Sequence, residues 1–124
     1  MSQRLTSGDE MKPKAPHASQ ISCSEGGSAY SFKVGDMFFY EFYRHESVGK
    51  EVEFQIGDTQ IVSHVDTRKE YVHPENMKPG WTGGDLQKGQ WLFRANAIGT
   101  TSIAIRSMFR GRLESECRID ITVT

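Results

Sequence analysis

Strict alternation of apolar and polar residues is clearest in the last third of the chain. Segments 90–97, 101–108 and 117–123 each place apolar side chains at alternate positions, and within 90–97 Leu92 is the one apolar residue on the opposite side. Successive side chains of a β-strand point to opposite faces, so this period predicts three consecutive antiparallel strands with one apolar face each. The inward positions are Trp91, Phe93, Ala95, Ala97, Ile103, Ile105, Ile119, Ile121 and Val123.

The upstream half shows the same period in shorter runs. Segments 29–34 and 51–56 alternate, and glycine-aspartate turn signals follow both, at Gly35-Asp36 and Gly57-Asp58. Segment 37–43 is apolar on both faces, which predicts a central strand or one that is partly covered by a loop. Further strands are expected at 19–24, at 59–65 and near Tyr71-Val72.

Six to eight short strands at roughly ten-residue spacing, with no segment of helical period, predict an all-β fold. We expect an immunoglobulin-like sandwich of about seven to eight antiparallel strands. Residues 1–18 contain two prolines, several charges and no periodic pattern, and are predicted to be a disordered tail. The domain is then 19–124. Segment 66–88, rich in proline and glycine, is expected to be mostly a long loop, which in a compact domain indicates function or mobility.

Composition narrows the choice of partners and of compartment. The chain has 15 basic and 16 acidic residues, so its net charge of −1 does not favour a nucleic acid or a membrane as a partner. No run of 18 apolar residues and no hydrophobic leader is present, so we expect a cytoplasmic location with free thiols. Cys23 and Cys117 lie near the first and last predicted strands. A disulfide in an oxidising compartment is therefore the alternative.

No catalytic residue, metal ligand or cofactor is predicted. His64, Asp66, His73 and Glu75 could supply metal ligands, but no third ligand follows at a fixed spacing, so solvated side chains are expected. Residues 45–47 (His-Glu-Ser) offer a base, a carboxylate and a nucleophile, but adjacent residues in one loop rarely reach the geometry of a catalytic triad, so no such role is expected. These patterns favour a non-enzymatic role in protein binding.

The order of strands and loops resembles the chagasin family, small immunoglobulin-like inhibitors of papain-type cysteine peptidases. Segment 32–36 (FKVGD) resembles the opening strand and V-G-[DE] turn of that family, 97–100 (AIGT) resembles its A-G-T turn, and 118–123 (RIDITV) resembles its last strand. The resemblance implies that the partner is a protein, in the first instance a papain-type cysteine peptidase.

In that family, three loops at one end of the sandwich form a wedge that fills the peptidase active-site cleft. The corresponding segments here are 45–49, 80–89 and 108–112. The first keeps the glycine of the family's N-P-T-T-G motif without its other residues, the second keeps a glycine-rich character, and the third has an aromatic residue and arginines in place of R-P-W. The contact residues that the resemblance implies are Ser47, Val48, Gly49, Trp81, Gly83, Gly84, Phe109 and Arg110.

The differences in the loops lead to two expectations. A wedge needs glycine for close backbone approach and aromatic or arginine anchors. Because the first loop lacks proline, ordering it on binding costs more, and we expect weaker inhibition or a different target. The alternative is an immunoglobulin-like interaction module with no peptidase target, which assembles through an edge strand such as 59–65.

Overall fold

A computed structural model describes residues 17–24, 26–72 and 86–124. These residues form eight strands and one short 3₁₀ turn, Glu46–Val48. The strands are β1 (Ser19–Ile21), β2 (Ser28–Phe32), β3 (Met37–His45), β4 (Lys50–Ile56), β5 (Val62–Tyr71), β6 (Leu86–Ala95), β7 (Gly99–Phe109) and β8 (Arg112–Val123).

The strands are arranged as two layers. Strands β1, β3, β6 and β5 are neighbours in one layer, and β2, β8, β7 and β4 are neighbours in the other. The layers are joined where β3 passes into β4, through the single register pair of His45 and Lys50. The predicted all-β, immunoglobulin-like sandwich is confirmed. Two pairings, β1 with β3 and β2 with β8, are parallel rather than antiparallel, which is possible because no hairpin connects these partners.

The core lies between the two layers and is built largely from aromatic rings. Phe54 of β4 packs edge-on against Trp91 and Phe93 of β6, with ring centroids 4.8 Å and 5.3 Å away. Phe32 of β2 stacks on Phe38 of β3 at 4.3 Å. All inward positions predicted for the last three strands are buried, except Ala97, which lies in the turn after β6.

The outer face of the β3–β6 pair is also buried. Phe39 and Leu92, neighbours in register, are 6% and 5% exposed. Gln90 is buried beside them, and its amide donates a hydrogen bond to the carboxylate of Glu41 at 3.3 Å, which offsets part of its desolvation cost. The prediction that segment 37–43 is a central or covered strand is confirmed.

Three strands differ in their bounds from the sequence-based expectation. Strand β6 begins at Leu86, four residues before the predicted Gln90. Strand β8 begins at Arg112, five residues before the predicted Cys117, because its pairing with β7 continues through the polar segment to a tight turn. Strand β5 covers Val62–Tyr71 and so unites the predicted strands at 59–65 and 71–72. The extensions of β8 and β5 are rich in charged residues, so apolar periodicity cannot reveal them.

Cys23 and Cys117 form a disulfide, with Cα atoms 6.1 Å apart. The expectation of free thiols was therefore wrong. Cys23 follows β1, which pairs in one layer, and Cys117 lies in β8 of the other, so the bond joins the two layers.

The predicted tail, residues 1–18, lies outside the described residues except for His17 and Ala18. Among the described residues, no helix has the length and apolar character needed to span a bilayer.

The disulfide should contribute strongly to stability. Replacing both cysteines by serine is expected to lower the free energy of unfolding by about 2–4 kcal/mol, since the bond closes a long loop. Thermal unfolding followed by circular dichroism measures the effect. A reducing agent should destabilise the native chain to the same extent and leave the serine variant unchanged. Equal unfolding temperatures for the native chain with and without reductant would contradict this prediction.

Candidate binding site at the loop end of the sandwich

Three connections between strands leave the sandwich at the same end. His45, the last residue of β3, is in register with Leu86, the first of β6, and Tyr71 at the end of β5 pairs with the next residue of β6. Lys50 at the start of β4 is in register with Phe109 at the end of β7. The connections 46–49, 73–85 and 110–111 therefore begin and end at one edge of the sandwich, which we call the loop end.

The predicted contact residues divide into two groups. Ser47 and Val48 lie exposed in the 3₁₀ turn, followed by Gly49, and the pair Phe109-Arg110 lies in the adjacent hairpin. The structure thus brings the first and third predicted loops together. Trp81, Gly83 and Gly84 lie outside the described residues, and their place at the site stays a prediction.

A backbone hydrogen bond joins the first and third connections at Gly49 and Arg110. The backbone N–H of Arg110 donates a hydrogen bond to the carbonyl oxygen of Gly49 at 2.7 Å. Gly49 has φ +82°, and a Cβ added to it would lie 2.7 Å from Cγ of Arg110 and 3.2 Å from its backbone nitrogen. Only glycine meets both the conformational and the steric requirement at this position.

The third connection is shorter than predicted. Met108 and Phe109 belong to β7 and Arg112 begins β8, so the turn consists of Arg110 and Gly111 alone. Both residues have positive φ, 53° and 80°, as the favoured two-residue turns between twisted strands require. Gly111 was the available sequence signal for this turn.

A cationic group surrounds the ring of Phe109. The guanidinium carbon of Arg110 lies 5.0 Å from the ring centroid, and the ammonium nitrogen of Lys50 lies 5.6 Å from it. Both distances fall within the range of cation–π attraction. Sequence reasoning missed Lys50, because only the register of β4 with β7 places it beside this ring.

The interior beneath the loop end is also ordered by specific contacts. Nη2 of Arg44 donates a hydrogen bond to the carbonyl oxygen of Val52 at 3.2 Å, which joins β3 to β4 below the 3₁₀ turn. Gly89, expected in the glycine-rich loop, lies in β6 instead, where a side chain would overlap the ring of Phe42. This glycine therefore has a packing role.

Among the residues considered for a metal site, His64 has a packing role. His64 packs against the rings of Phe54 and Phe93, and its Nε2 lies 2.7 Å from the hydroxyl of Thr67. Within the described ranges, no three His, Cys, Asp or Glu side chains lie close enough to hold a metal ion; His73 and Glu75 lie outside those ranges. Strand β5, the proposed docking edge, lies at the end of the strand order, and its pairing with β6 shifts register between His64 and Asp66.

The chain matches no protein-family model and no curated protein sequence. Its fold is similar to that of the cysteine protease inhibitor EhICP2 from Entamoeba histolytica, with a TM-score of 0.65 at 14% identity, over 89% of this chain and 100% of that one. It is also similar to amebosin, with a TM-score of 0.54 at 12% identity, over 86% of this chain and 98% of that one. The framework resemblance seen in the sequence is thereby confirmed as a likeness of fold.

The contact between Gly49 and Arg110 can be tested with a matched pair of substitutions. Gly49→Ala should lower the free energy of unfolding by about 2–4 kcal/mol, from left-handed strain and overpacking together. Gly26→Ala is the control, because its φ is similar, at +86°, and nothing lies within 4 Å of the added Cβ. Gly26→Ala should lower the free energy of unfolding by only about 1–2 kcal/mol. Chemical denaturation measures both values, and equal losses would show that the two connections are not packed together.

Proposed function

We propose that this chain is a protein-binding domain that inhibits papain-type cysteine peptidases through its loop end. The observation that carries the proposal is the 2.7 Å hydrogen bond from the Arg110 N–H to the Gly49 carbonyl oxygen. This bond joins two separate connections into one preorganised protrusion. Preorganisation favours inhibition because little conformational freedom is then lost when the protrusion enters a cleft. The fold of EhICP2, a cysteine protease inhibitor, supports the same assignment.

The mechanism is reversible occlusion of the active-site cleft. Ser47 and Val48 present an exposed surface on the 3₁₀ turn, and Gly49 lets the backbone approach the cleft closely. Phe109 and Arg110 supply the aromatic and cationic anchors beside it. Trp81, Gly83 and Gly84 complete the proposed contact surface. The role needs no catalytic group, metal or cofactor, so we propose that the chain is not an enzyme.

The compartment is part of the proposal. The sequence-based expectation was a cytoplasmic location. The Cys23–Cys117 disulfide supports an oxidising compartment instead, because cytosolic thiols are kept reduced.

Inhibition can be measured directly with papain and a cathepsin L-type peptidase, using a small fluorogenic substrate. We expect saturable, competitive inhibition at about 1 μM or below, an affinity that a small rigid interface can supply. Undiminished peptidase activity at tens of micromolar inhibitor would contradict the proposed function.

The position of the inhibitory surface can be tested with two exposed aliphatic residues. Val48→Asp should raise the inhibition constant by about tenfold or more, because a charge replaces an apolar contact in the cleft. Ile98→Asp is the matched control, since Ile98 is 76% exposed in the turn between β6 and β7, at the opposite end. It should leave inhibition unchanged. A larger loss of inhibition in Ile98→Asp than in Val48→Asp would place the contact surface at the opposite end of the sandwich and contradict the proposal.

A further inference from the structure

Arg110 has a backbone conformation that arginine rarely adopts. Among the described residues it is the one non-glycine residue with positive φ, at 53°. The first position of such a turn is ordinarily asparagine, aspartate or glycine, since a longer side chain is strained there. A strained residue at the tip of a candidate binding surface is an observation that points to function.

Arg110 and Arg112, on either side of Gly111 at the tip of the hairpin, also differ in their ion pairing from the arginines further along the same hairpin. Arg106 donates to Glu116 at 2.6 Å, a hydrogen bond that raises the pKa of Arg106, and Arg118 donates to Asp120 at 2.8 Å. Within the part of the chain that the structure describes, neither Arg110 nor Arg112 forms an ion pair with a carboxylate. Both are exposed. The charges of Arg110 and Arg112 are therefore available to a partner.

The backbone of Arg110 is held in place while its side chain forms no ion pair. Its N–H donates to the carbonyl oxygen of Gly49, and its guanidinium group lies 5.0 Å from the ring centroid of Phe109. A planar guanidinium is suited to bidentate binding of a carboxylate. Glu114, paired with Lys50 at 3.9 Å, lies close to the turn, and its charge disfavours an extended polyanion such as a nucleic acid.

We propose that Arg110 and Arg112 form a carboxylate-binding turn, and that the partner is a protein with aspartate or glutamate side chains at the rim of its cleft. This inference rests on the proposed function, and specifies which papain-type peptidases are bound best: those with an acidic rim beside the active site. Opposite charges across the interface increase the rate of association and select among related partners.

The test compares the native chain with an Arg110→Asn, Arg112→Gln double variant. Asparagine tolerates positive φ better than arginine, so this variant should be at least as stable, and a loss of binding is then not a loss of folding. Arg94→Gln is the control, because Arg94 is an exposed cation at the opposite end of β6. Inhibition of a cathepsin L-type peptidase is measured at several sodium chloride concentrations.

We expect the double variant to inhibit about tenfold more weakly at low salt and to lose most of its salt dependence, whereas Arg94→Gln behaves like the native chain. Replacing rim carboxylates of the peptidase by amides should weaken the native inhibitor and leave the double variant unaffected. Undiminished inhibition by the double variant, with the native salt dependence, would overturn this inference and leave the proposed function standing. No inhibition by the native chain would overturn both.

Discussion

The packing of Phe54 against Trp91 and Phe93 is the interaction on which the rest of the structure depends. These rings come from opposite layers and meet at 4.8 Å and 5.3 Å, so they fix both the separation and the register of the two sheets. Each layer has an apolar face that is stable only when covered. Once the layers are aligned, the strand ends are aligned as well, and the loop end becomes a defined surface.

Strand pairing brings the first and third connections of the loop end together. β4 and β7 are in register from Lys50–Phe109 to Ile56–Ile103, and this pairing brings Gly49 beside Arg110. The 3₁₀ turn and the hairpin turn are joined by one backbone hydrogen bond, and Arg110 leaves no room for a side chain at Gly49. The missing proline of the first loop led us to expect a more flexible segment. The structure compensates with a tertiary contact to the neighbouring hairpin.

Much of the fold could be predicted from sequence because a half-buried strand imposes a period of two on its residues. This period identified Trp91, Phe93, Ile103 and Ile119 as core residues, and all are buried. It could not locate the start of β8, where both faces are polar, or the parallel pairings of β1 and β2, which depend on tertiary contacts. The disulfide was one of two alternatives because cysteine spacing does not reveal which strands are adjacent.

The candidate site was less predictable than the fold. The resemblance to the chagasin family could suggest that Gly49 and Arg110 both matter, but not that they are hydrogen-bonded to each other, since this bond depends on the register of β4 with β7. Lys50 had no sequence signal, and joins the site only through the ring of Phe109. Residues 73–85, which contain the predicted Trp81, Gly83 and Gly84, lie outside the described residues, so the middle segment of the site remains a prediction.

The most direct test of the account is a nuclear magnetic resonance titration of the isotope-labelled chain with papain whose catalytic cysteine is blocked by a small group. Backbone amide signals report which residues contact the partner. The account predicts that the signals of Ser47, Val48, Gly49, Arg110 and Gly111 change together, whereas those of the turn at Ile98 stay constant. Changes confined to the Ile98 end or to the edge of β5, or no changes at all, would contradict it.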